Sequence, residues 1–183
     1  LGNNERLNGW MDEGINSYYE MQYVLHKYPP QLFGNKNEME GIGIFGKLLG
    51  ADQFNYKAMN LNEFLFSART WNNQPLNLPS TSFTEINYGV IMYKKTAIVF
   101  DYLKDVLGDS LFKTCMENYF SEWKYKHPSP EHLRWSIEHT SGIKLNWFFD
   151  DLISTDKKVD YKICKVVNEK DSIYNVTIKN NGS

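Results

Sequence analysis

The chain has 183 residues, enough to bury one sizeable core and normally a single domain, perhaps with an appendage. Its formal charge of −2 is too near neutrality to argue for nucleic acid or an anionic membrane surface as partner. No apolar run approaches the roughly 20 residues needed to span a bilayer.

Aromatic content is 15%, from twelve Tyr, eleven Phe and five Trp, which suits either a large helical core or a peptide-binding cleft. Cys115 and Cys164 are far apart and have no CxxC or CxxH spacing, so neither a cysteine metal site nor a disulfide framework is indicated. Compartment is left open. Asn175-Val176-Thr177 is a glycosylation sequon only if the protein is secreted.

Leu1 to Gly9 is polar and reads as a loop. The first helix is predicted from about Trp10 to Lys27, stopping before Tyr28-Pro29-Pro30 because proline disfavours α geometry in the residue before it. Ile15, Tyr18, Met21 and Leu25 form its apolar back. Gly41-Ile42-Gly43-Ile44-Phe45-Gly46 matches GxGxxG, but Asn35 to Glu40 is polar where a dinucleotide fingerprint needs a strand, so a small-residue helix contact is preferred.

Ala51 to Arg69 predicts a second amphipathic helix or pair of short helices, with Phe54, Met59, Phe64 and Leu65 inward. Trp71 to Ser82 is a proline- and asparagine-rich loop. Ser82 or Thr81 is expected to cap a helix over Glu85 to Leu107, which ends at Gly108. Asp109 is expected to cap the next, to about Tyr125. Ser129 with Pro130 starts another, to about Thr140. A short aromatic helix spans Leu145 to Ile153.

After Asp156 the period changes from 3.6 to 2. Val159, Tyr161, Ile163, Lys165 and Val167 alternate with Asp160, Lys162, Cys164 and Val166, and Ile173 to Lys179 repeats the pattern after a polar turn. Two strands alone are marginal, so they read as the opening hairpin of a longer β domain.

The stretch Trp10-Met11-Asp12-Glu13-Gly14, continuing to Tyr18-Tyr19-Glu20, carries the strongest chemical signal. Glu13 and Glu20 stand two helical turns apart, so both project from one face, with Asn16 and Ser17 between them. On spacing alone a polar acidic stripe is an ordinary solvated face. The four histidines read as structural or surface residues: His132 and His139 are seven apart, where zinc-binding pairs on a helix are four apart.

The run W-M-D-E-G-x-x-x-Y-Y-E resembles the helix that carries the third zinc ligand in the M1 aminopeptidase family, the gluzincins related to leukotriene A4 hydrolase. There the metal is held by HExxH, eighteen residues, and then a Glu inside an N-E-G or D-E-G triplet. The resemblance makes Glu13 the metal ligand, with Asp12 beside it, and Glu20 the group that orients a ligating histidine. It also implies that the second histidine is separated from Leu1 by six residues, so that the chain is a fragment of its parent.

Tyr88-Gly89-Val90-Ile91-Met92-Tyr93-Lys94-Lys95-Thr96 similarly resembles the family's Y-x-K-G segment, whose Tyr supports the oxyanion. Tyr93 and Lys95 match, Thr96 replaces the glycine, and Tyr88 is a neighbour for the same pocket. Taken with the family, the chain is expected to be mainly α: the C-terminal part of a thermolysin-like catalytic domain over residues 1–156, then the truncated start of a β-sandwich over 157–183.

The implied activity is that of a zinc metallopeptidase, an aminopeptidase acting on peptide substrates, with the fragment itself inactive and zinc not held tightly. The alternatives are a non-catalytic member that binds proteins or peptides, and an unrelated helical interaction domain.

Overall fold

The computed structural model describes residues 2–28, 55–70, 73–157 and 160–181. It is mainly helical and closes with a two-stranded antiparallel hairpin, as the change of period predicts. The Gly41–Gly46 segment, Phe54, Trp71 and Val159 lie outside the described residues, and so do the expectations attached to them.

Helix begins earlier than the sequence suggests. Asn4 caps α1 (Glu5–Gly9), its side-chain oxygen accepting from the N–H groups of Arg6 and Leu7 at 3.1 and 3.3 Å, so residues expected as loop are helical. The chain then enters a π-helical turn, π1 (Trp10–Gly14), and continues as α2 (Ile15–Lys27). Ile15, Tyr18 and Met21 are buried as expected, and Leu25 packs half-buried against them.

Asn55 caps α3 (Tyr56–Arg69) by accepting from the Ala58 N–H at 2.9 Å. Its buried positions are Asn60, Ser67 and Ala68, while Met59, Phe64 and Leu65 are only half-buried. The small side chains at 67 and 68 let α3 come close to its neighbours, and the large ones flank the contact.

The single helix expected over 85–107 is three pieces: α4 (Glu85–Asn87), π2 (Tyr88–Lys95) and α5 (Thr96–Leu107). Its cap is Thr84, whose hydroxyl accepts from the Asn87 N–H at 3.3 Å, because Ser80–Ser82 are taken up in a 3₁₀ turn. The wider i→i+5 bonding of π2 puts the residues before it out of phase with α5. Ile86 therefore faces out, 74% exposed, although it belongs to the apolar series.

Gly108, at φ +80°, ends α5 and precedes α6 (Asp109–Trp123), so Asp109 is the first helical residue and not the cap. Ser129 and Pro130 start α7 (Pro130–Ser141) as predicted. His132 completes that cap by accepting from the Ser129 N–H at 2.9 Å. His139 stacks on Trp135 with ring centroids 4.8 Å apart. Both keep the structural role expected of them. A third π-helical segment, π3 (Trp147–Ile153), brings Phe148 and Phe149 inward.

The core is aromatic at its centre. Phe100 of α5 meets Trp10 at 6.2 Å, Tyr18 at 6.1 Å and Phe148 at 5.5 Å, and Tyr18 meets Phe112 edge-on at 5.5 Å. α2 thereby packs along α5, while π1 crosses π2 beside them. Strands β1 (Tyr161–Lys170) and β2 (Ile173–Asn180) pair with Val166 opposite Val176. Irregularities at Ile163/Lys165 and Asn168/Lys170 interrupt the alternation. Every residue of both strands is exposed, including Ile163, Val166, Val176 and Ile178.

Candidate active site

Two helices cross where the candidate residues lie, and a glycine sets how close they come. A Cβ at Gly14 would stand 2.5 Å from Thr96 Cβ and 2.7 Å from the Met92 carbonyl oxygen, far inside contact distance. Thr96 and Met92 are fully buried, and the Thr96 hydroxyl donates to the Ile91 carbonyl at 3.3 Å within its own helix. Gly14 follows Glu13, and Thr96 lies three residues after Tyr93. The crossing thus fixes the carboxylate relative to the phenol. The threonine that departs from the Y-x-K-G pattern occupies the space that Gly14 leaves.

Across this crossing the Tyr93 hydroxyl lies near enough to Glu13 for the carboxylate to act on its ionisation. Desolvation first, then the interaction with Glu13, push the Tyr93 hydroxyl up to about 12, with smaller contributions from Tyr88 and Asp12. The phenol is consequently a neutral donor throughout the physiological range. Glu13 is partly buried, and its carbonyl accepts from Ser17 Oγ at 2.8 Å.

Tyr88 and Tyr93 meet edge-on at 6.1 Å. In an α-helix residues five apart point in different directions, whereas i→i+5 bonding stacks them, so π2 is what makes the two tyrosines neighbours. Tyr88 also packs on Phe83 at 6.4 Å. Glu20 accepts from the Tyr56 hydroxyl at 3.3 Å. Asp12 lines a different, larger opening of about 830 Å³ between α2 and α6, with Asn16 and Tyr19. Of the five candidates, Glu13, Tyr93 and Tyr88 come together. Glu20 lies beside them on the same cavity as Tyr93, and Asp12 looks elsewhere.

That cavity, about 240 Å³, is lined by Ser17, Glu20, Tyr56, Asn60, Gly89, Tyr93 and Lys94. Tyr56 and Asn60 were missed from the sequence. The available signal was Asn60 itself, a polar residue on the apolar stripe between Tyr56 and Phe64 at helical spacing. Lys95, the other match in the Tyr93 segment, is 1% exposed and donates to the Gln74 carbonyl at 3.0 Å and to Asn73 Oδ1 at 3.3 Å. It ties the 73–74 loop to π2 from beneath the site.

A carboxylate is a suitable zinc donor, but zinc needs at least three protein ligands. Among the described residues no group of three or more His, Cys, Asp or Glu could hold a metal. Glu13 fits as one ligand of such a site, and these residues do not complete it.

The family model for the Peptidase family M1 domain matches residues 7–152, and the chain belongs to that family. This is a family of zinc-dependent peptidases, so peptides are the substrate class it implies. No curated protein and no solved structure matches the chain. Among the described residues no helix is long and apolar enough to cross a membrane.

Proposed function

We propose that this chain is the helical part of the catalytic domain of a zinc aminopeptidase with a thermolysin-like fold, of the group related to leukotriene A4 hydrolase. In this reading Glu13 is the carboxylate ligand of the metal and two histidines of an HExxH motif, outside these 183 residues, complete the set. The observation that supports it is the meeting of Glu13 with a Tyr93 hydroxyl that stays protonated, on a crossing whose geometry Gly14 and Thr96 fix. Zinc, when bound, supplies Lewis acidity and an acidified water.

The chain's own residues do the rest. Tyr93, a neutral phenol at physiological pH, donates a hydrogen bond to the oxygen of the scissile carbonyl as negative charge develops there. Tyr88 buttresses the Tyr93 ring. Glu20 accepts a hydrogen bond from a ligating histidine and fixes its orientation. Residues 157–183 are the opening strands of a following β-sandwich, a reading supported by apolar side chains left exposed on both faces of the hairpin. A non-catalytic binding role is the competing reading, and a damaged HExxH in the parent would establish it.

The test is mutational, in the parent protein. Tyr93→Phe removes one oxyanion donor and should lower kcat on an amino-acid anilide about 10²–10³-fold with little change in folding. Glu13→Gln should lower bound zinc together with activity. Full activity in both variants would overturn the assignment. The 183-residue chain alone should hold no stoichiometric zinc by metal analysis, and a tight 1:1 site would refute the ligand set.

A further inference from the structure

The cavity beside Tyr93 contains a group that neither the metal nor the oxyanion chemistry uses. Asn60 is 2% exposed, lines the cavity, and its Oδ1 has no hydrogen-bond partner. A buried carbonyl left unmet is costly, and native structures keep few of them. The two hydroxyls on its wall have spent their donors. Ser17 Oγ gives its proton to the Glu13 carbonyl, and the Tyr56 hydroxyl gives its proton to Glu20. Lys94 is engaged at the rim, its ammonium 3.8 Å from Glu63 and 5.6 Å from the Tyr56 ring centroid. What remains inside is an unmet acceptor, Asn60 Oδ1, with the free lone pairs of Ser17 beside it.

We propose that this cavity is a specificity subsite for one substrate side chain ending in hydrogen-bond donors, an ammonium or a carboxamide, and that Asn60 selects it. The peptide context rests on the peptidase reading above. At about 240 Å³ the space is below the roughly 300–1,000 Å³ of pockets for drug-sized ligands, and it suits a single side chain. Tyr93 forms part of its wall, so an occupant lies beside the bond under attack. An acidic side chain, ionised, brings no donor to Asn60 Oδ1. Gly89 leaves the entrance open: a Cβ there meets nothing within 4 Å, so packing does not demand glycine.

The parent enzyme should be assayed on lysine, glutamine, norleucine and glutamate anilides. Lysine and glutamine should exceed both norleucine and glutamate in kcat/KM. Asn60→Leu should cut the lysine-to-norleucine ratio by about tenfold, the scale of one lost hydrogen bond. Asn60→Asp should raise lysine over glutamine. Because Asn60 is buried and its variants can unfold, Gly89→Leu gives a second measurement from an open position: it should narrow the cavity and lower kcat/KM for lysine and glutamine relative to alanine anilide.

Unchanged ratios in folded variants would overturn the subsite while leaving the peptidase reading intact. If the parent hydrolyses nothing, the peptidase reading fails and binding to the chain itself decides the subsite. Glutamine amide should shift the Asn60 carboxamide resonances saturably where norleucine amide does not, and equal or absent shifts would overturn it.

Discussion

Gly14→Ala is the smallest change that tests the geometry of the site. In an isolated helix the substitution would help, by about 0.5–1 kcal/mol. Here the new methyl would lie 2.5 Å from Thr96 Cβ and 2.7 Å from the Met92 carbonyl, and neither neighbour has room to retreat. Overpacking of this kind costs about 1–3 kcal/mol. The net loss is then about 1–2 kcal/mol, or a Tm lower by roughly 2–8 °C at this chain length.

Urea unfolding followed by circular dichroism measures it. Thr96→Gly removes the obstructing side chain but leaves the Met92 carbonyl, so in that background Gly14→Ala should cost measurably less, a coupling of about 1 kcal/mol. The same separation should move the Glu13 carboxylate away from Tyr93 and lower the pH at which the phenol ionises. Equal cost in both backgrounds, or no cost in either, would refute the claim that Gly14 and Thr96 set the crossing.

Glu13→Gln should lower the Tyr93 pKa from about 12 without restoring the ordinary tyrosine value, because burial, the largest cause, remains; phenolate absorbance measured against Tyr93→Phe reads this. Asp101→Asn should destabilise the fold by about 1–3 kcal/mol, since buried Asp101 receives Lys57, Lys104 and Gln22 from three directions. Burial alone would raise the Asp101 carboxyl, but the two lysines outweigh it and hold it below the usual range. Its contribution is therefore present above the unfolded value of 3.8 and lost as pH falls through the lower folded value. The gap between parent and Asp101→Asn in urea midpoint should be constant near neutrality and close in acid, and a pH-independent gap would argue against the pair.

The helices and the hairpin were legible because each carries a local signal: the prolines after Tyr28, the Ser129-Pro130 start, Gly108 and Gly142 at helix ends, and the period change after Asp156. Caps were less so. Thr84 and Gly108 each displaced a plausible neighbour, and Asn4 starts a helix where a loop was expected, because which residue caps depends on how the preceding turn is bent. The alternation in the hairpin correctly marked strands, yet it could not reveal that neither face is buried, since burial is a property of what packs on the sheet.

The π-helical turns were invisible for a deeper reason. Their composition is that of any helix, and only tertiary contact decides where an i→i+5 bond replaces i→i+4. Yet Asp12 and Glu13 lie in π1, and Tyr88 and Tyr93 lie in π2. Such turns are rare and concentrate at functional sites. In this chain the consequence is specific: π2 brings Tyr88 under Tyr93, and π1 meets π2 at Gly14 to bring Glu13 to the same phenol. Seven-residue spacing first suggested Glu13 and Glu20 as a pair, but the closer partner of Glu13 is Tyr93, on another helix. Motif resemblance could nominate both residues; the contact between them depends on helices wound slightly too wide, and no periodicity in the sequence records that.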